Sequence, residues 1–130
     1  MNDGDRYSEV VRRLFEALPC AGPLPDGAGL PVAGEAVALD RGAWVRFEAR
    51  VLRGRYVACS FRAWGCPHVL AAAARTAGRL SGSSVGGEGA CDARELIEAL
   101  GAPVEKLGRF LVVEDAHGRL LAAARAVQSR

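Results

Sequence analysis

The chain is poor in lysine: Lys106 is the only one among 17 Lys+Arg. Nearly all its positive charge is therefore arginine, the residue suited to paired and stacked sites. An excess of either sign is also missing, since 15 Asp+Glu leave a net charge of +2. That balance excludes recognition of nucleic acid or a membrane surface by bulk charge. No run reaches the roughly 18 apolar residues of a membrane span. The opening "MNDGDRYSEV" is acidic and polar where a signal peptide is basic and then apolar, so a cytoplasmic location is expected. The four cysteines (Cys20, Cys59, Cys66, Cys91) contain no CxxC, so nothing in their spacing supports an independent zinc knuckle. In a reducing compartment they read as buried thiols, ligands or reactive groups rather than a disulfide frame. "GSSVGGEG" lacks the Lys-Ser/Thr of a phosphate loop, and neither G-x-S-x-G nor H-E-x-x-H occurs.

What is present is an ordinary globular composition over 130 residues, half of them apolar, which predicts a single domain spanning residues 1–130. "YSEVVRRLFEAL" sets Tyr7, Val10, Val11, Leu14, Phe15 and Leu18 at helical spacing, with Pro19 as the stop. Residues 20–34 have the Pro/Gly density of a loop, "EAVAL" predicts a short strand, and "DRG" at 40–42 a turn. In "AWVRFEARVL", Val45, Phe47, Ala49 and Val51 alternate with polar neighbours. A turn at Arg53-Gly54 leads to "RYVACSFRAW", where Val57, Cys59, Phe61 and Ala63 should share a face. A helix is expected from Pro67 to about Leu80, and residues 81–90 read as a flexible loop. A helix opening at Asp92 has Glu95 at capping-box spacing. Phe110, Val113, His117, Leu120, Ala124 and Val127 favour one long final helix over a hairpin, although Gly118 costs about 1 kcal/mol there. The fold class is α+β: a three-stranded antiparallel sheet with helices packed on one face.

The unusual position is Cys66, between the third strand and the second helix. A thiol at a helix N-terminus faces free N–H groups and the positive end of the dipole, which favour the thiolate that attacks, accepts sulfur or binds metal. His68 completes a C-x-H pair, at most two of the four ligands of a closed metal site; a solvent-facing first-turn histidine is the commoner case. Cys59 reads as a buried residue of the sheet, Cys91 as structural, and His117 as packed on an apolar stripe.

"FRAWGCPHVLAAA" resembles the "F-K-T-F-G-C-G-S-A-I-A" region of the IscU/NifU N-terminal domains, the scaffolds of iron–sulfur cluster assembly. "YSEVVRRLFE…AG" is similar to the family's opening, with Tyr7, Glu16 and Gly22 matching, and "VEDA" at residues 113–116 matches its "A-E-D-A". The resemblance implies a SufE/IscU-like fold. It implies an iron–sulfur cluster, iron or zinc as cargo, and a cysteine desulfurase or other assembly proteins as partners. Cys66 falls on the middle of the family's three cysteines. Arg41 stands for the first, with Ala43 for the nearby aspartate; a gapped alignment uses Ala33 and Glu35 instead. The family's final "H-C" becomes Gly108 and Arg109, and its "L-P-P-V-K" becomes "APVEK" at residues 102–106. One thiol of three implies that a cluster or metal is not stably held, with Cys66, His68 and Glu35 as the remaining candidate ligands. The expected role is scaffold-like sulfur or persulfide handling, with Cys66 as acceptor and Arg41 and Arg109 stabilising anionic sulfur. The alternatives are a SufE-like sulfur acceptor or a non-catalytic interaction protein without a cluster.

Overall fold

The computed structural model describes residues 7–87 and 91–128. Helix α1 (Glu9–Ala17) is followed by strand β1 (Leu30–Ala38), a 3-10 turn (Leu39–Arg41), and strands β2 (Ala43–Leu52) and β3 (Arg55–Trp64). Then come α2 (Pro67–Leu80), α3 (Ala93–Leu100), a second 3-10 turn (Val104–Lys106) and α4 (Leu107–Gln128). The strands form one antiparallel sheet in the order β1-β2-β3. On one face of the sheet α4 covers β1 and β2 and α2 covers β3, while α1 packs on α2 and α3 on α4. The expected α+β architecture is the observed one.

Alternation in β2 does what a half-buried strand requires: Ala43, Val45, Phe47, Ala49 and Val51 enter the core, and Trp44, Arg46, Glu48 and Arg50 line the other face. Opposite them, α2 buries Ala71 to Ala74 and Ala77. These small side chains let the helix approach β3 closely. The long final helix is also as expected.

Five local expectations are corrected. Strand β1 begins at Leu30, within the segment that reads as a loop. Its Pro31 is tolerated because β1 is an edge strand. Its Gly34 marks a close backbone approach, since an added Cβ would lie 2.6 Å from the Ala116 carbonyl oxygen of α4. The inward face of β3 changes phase: Tyr56 is buried and Val57 is 45% exposed. Ala58 pairs with Arg50 and Tyr56 with Val51, so Val57 is the extra residue of a bulge. On α1, Val11 is buried while Val10 and Phe15 of the expected apolar face are exposed.

The cap of α3 is only half of the expected box. Asp92 accepts from the Arg94 amide at 2.8 Å, but Glu95 turns away to a two-pronged pair with Arg75 at 2.8 and 3.0 Å. Glu114 of α4 accepts instead from the next amide, that of Ala93, at 3.0 Å. The loop after α2 is fastened rather than free: Tyr56 donates to Ser83 and accepts from Gly82. Its residues 88–90 lie outside the described part. Cys20 and Gly22 bond to Phe61, so loops cover both ends of the β3 edge.

Candidate functional site around Cys66

Cys66 is the N-cap of α2, with extended backbone angles, and Pro67 occupies the first helical position where its missing N–H costs nothing. The Cys66 carbonyl receives the amides of Val69 at 2.9 Å and Leu70 at 3.3 Å. The side chain, by contrast, makes no capping bond and stays half-buried. Its sulfur is therefore available, and the group that reaches it is the Lys106 ammonium, donating to Sγ at 3.9 Å.

Lys106 arrives from the 3-10 turn before α4. The Leu39–Arg41 turn arrives from the other side, where Gly42 and Gly65 meet: a Cβ on Gly65 would lie 3.2 Å from the Gly42 carbonyl oxygen. The Arg41 guanidinium then crosses to the start of α4 and lies on Gly108. A Cβ there would come within 2.6 Å of its central carbon, so a side chain at position 108 would displace it. Arg109 is the next residue, half-buried, and its charge is felt at His68. Arg41, Lys106 and Arg109 thus gather about the N-terminus of α4, with Lys106 in contact with the thiol. Among the described residues none of the three forms an ion pair.

His68 departs from the first-turn, solvent-facing position expected of it. It is only 2% exposed, beneath the rings of Tyr7 at 4.9 Å and Phe110 at 6.5 Å between centroids. Among the described residues neither ring nitrogen has a hydrogen-bond partner. Burial, then the positive charges of Lys106 and Arg109, hold its pKa below the ordinary histidine value. The imidazole is neutral at neutral pH.

Glu35 points to the open face of the sheet. Its carboxylate accepts from the Trp44 indole at 2.8 Å and pairs with Arg46 at 3.3 Å. Among the described residues, no three His, Cys, Asp or Glu side chains are grouped to hold a metal. Cys66, His68 and Glu35 are therefore not a ligand set, and a cation sits beside the one thiol. This donor set does not fit a cluster or a tetrahedral zinc.

The other cysteines are placed differently. Burial, with the neighbouring Cys20 adding to it, pushes Cys59 up to about 12. Burial pushes Cys91 up to about 12 as well, against a hydrogen bond from Thr76. His117 is buried on the inner side of α4 as expected, and burial lowers its pKa.

Lys106 is the site residue that sequence reasoning passed over. A signal was available, because it is the sole lysine in a chain that otherwise uses arginine. A second feature missed is the row Val37–Trp44–Trp64, directly opposed across the three strands on the open face and ending two residues before Cys66. Val37 and Trp64 are exposed and Trp44 is half-buried.

No helix among the described residues is long and apolar enough to cross a membrane. No protein-family model matches the sequence, and no curated protein does. Solved structures do. A NifU-like protein N-terminal domain from Brucella abortus, described as nitrogen-fixing, superposes with a TM-score of 0.70 at 16% identity, over 94% of this chain and 96% of that one. A candidate iron–sulfur cluster assembly scaffold protein for the SUF system from Fervidobacterium islandicum gives a TM-score of 0.53 at 14% identity, over 96% of this chain and 98% of its own. The chain has the fold of the NifU-like and SUF-system scaffolds.

Proposed function

We propose that this protein handles sulfur for iron–sulfur cluster assembly, as an acceptor on that scaffold fold, with Cys66 as the working group. The observation that carries this reading is one thiol at the N-cap of α2 with the Lys106 ammonium 3.9 Å from its sulfur. A cation there favours a thiolate or persulfide anion and opposes a metal ion.

In the reaction, the Cys66 thiolate attacks the terminal sulfur of a persulfide carried by a cysteine desulfurase. The donor's S–S bond breaks, the donor cysteine leaves as a thiolate with the bonding pair, and a persulfide remains on Cys66. Lys106 offsets the negative charge on the new terminal sulfur, and Arg41 and Arg109 add to that field. The Val37–Trp44–Trp64 row, exposed at Val37 and Trp64 and ending two residues before Cys66, offers a docking surface for a protein donor. The same row supports the second reading, an interaction protein whose Cys66 is idle.

Reconstitution separates the acceptor from an autonomous scaffold. With ferrous iron and sulfide, the monomer should hold no stable, stoichiometric visible chromophore. A cysteine-dependent chromophore on the monomer contradicts the proposal, and one confined to a dimer means that two copies share ligands.

A further inference from the structure

The cationic cluster at the start of α4, whose Lys106 touches Cys66, forms no ion pair among the described residues. Asp40 and Glu105, the carboxylates nearest in sequence to Arg41 and Lys106, are exposed and pair with none of the cluster. Three cations brought together without a counter-charge repel one another, and an anion between them removes that cost. The fourteen-residue helix α2 points its positive end at the same place. Of its first-turn positions Pro67 has no N–H, and Val69 and Leu70 turn back to the Cys66 carbonyl; the His68 amide has no acceptor among the described residues. The His68 side chain is an independent sign of a missing ligand. It is 98% removed from solvent, both ring nitrogens are unpartnered among the described residues, and the charges felt there are those of Lys106 and Arg109, two members of the cluster.

We infer that Cys66 also takes sulfur from a small sulfur oxyanion of the thiosulfate class, whose sulfonate end is held by Arg41, Lys106 and Arg109. The inference rests on the reading of Cys66 as a sulfur acceptor and names a second, small-molecule donor for it. The Cys66 thiolate attacks the outer, sulfane sulfur of thiosulfate; the thiosulfate S–S bond breaks and sulfite leaves with the bonding pair. The cations offset the repulsion between thiolate and dianion on approach, and then stabilise the departing sulfite. Cyanide or a free thiol lifts the terminal sulfur from the Cys66 persulfide and restores the thiolate. Neutral His68 adds no charge of its own.

The test uses the full chain with thiosulfate as the only sulfur source. One sulfur atom should appear on the Cys66 peptide by mass spectrometry, with one equivalent of sulfite released. With cyanide present, thiocyanate should form catalytically. Cys66→Ser should abolish both signals. Arg41→Gln, Lys106→Gln and Arg109→Gln, each checked for native circular dichroism, should raise KM for thiosulfate about tenfold or more, the scale of one lost charge-assisted hydrogen bond. Their kcat should change less, and Arg13→Ala on exposed α1 should change neither. A parallel arm supplies a cysteine desulfurase and cysteine. If sulfur reaches Cys66 from the desulfurase but not from thiosulfate, the oxyanion inference is wrong and the acceptor reading stands. If it comes from neither, both fail. Thiosulfate turnover unchanged in all three glutamine variants overturns the assignment of the cluster as its binding site.

Discussion

Cys59 and Cys66 lie seven residues apart in different surroundings. Cys59 sits within β3 with its side chain in the core, 5% exposed, and burial drives its thiol to about 12. Cys66 lies just past the end of the same strand, where the chain turns into α2. Cys66 is half-buried and its sulfur touches a lysine. The strand interior makes a thiol into a small apolar residue, whereas the strand-to-helix junction makes it addressable. The lesson is that position relative to the element ends decides what a cysteine does.

The sharpest way to break this contrast is alkylation at pH 8, read peptide by peptide. A thiol held at about 12 is ionised to roughly one part in ten thousand there. Cys59 and Cys91 should therefore label at least about a hundredfold more slowly than Cys66 in the native protein. In denaturant the rates should converge, and equal native labelling of Cys59 and Cys66 would dissolve the distinction.

A second contrast lies between the backbone contacts that position the site and those that do not. Gly34→Val forces a side chain into the α4 backbone at Ala116–Leu120, so urea unfolding should show a loss of about 3 kcal/mol or more. Gly118→Ala, in open space on α4, should stabilise by about 1 kcal/mol. Equal effects would mean that α4 does not rest on β1 as described.

The smallest effect concerns His68. Its pKa is lowered in the folded protein, so as pH falls the unfolded chain binds its proton first, near 6.5. The stability held above that value is lost as pH drops from about 6.5 toward the folded pKa. The melting temperature should fall over this range, and less so in His68→Phe, where only His117 contributes the same trend. Identical profiles would place His68 in contact with water.

Much of the fold was legible because its signals are local. The alternation through Ala43–Leu52, the Pro67 start of α2 and the three-four spacing in α4 are each written in consecutive residues. What escaped depends on partners distant in sequence. "LPVAG" reads as loop until α4 comes to rest on Gly34, and Tyr56 reads as outward until the bulge at Val57 shifts the phase. Glu95 looks like a cap until Arg75 takes its carboxylate. The site follows the same rule. Cys66 at a helix start could be read directly, but its lysine lies forty residues on. Arg41 and Gly108 are interpretable only together, because the missing side chain at one makes room for the guanidinium of the other.

The central claim is that sulfur goes to Cys66 and to no other thiol of this chain. The direct measurement is peptide mass spectrometry of the protein after incubation with a cysteine desulfurase and cysteine, with free thiols trapped before digestion. A single added sulfur atom at Cys66, with Cys20, Cys59 and Cys91 unmodified and the signal lost in Cys66→Ser, is the predicted result. Sulfur distributed over Cys20 and Cys66 alike, or absent from Cys66 while the desulfurase turns over, would contradict it.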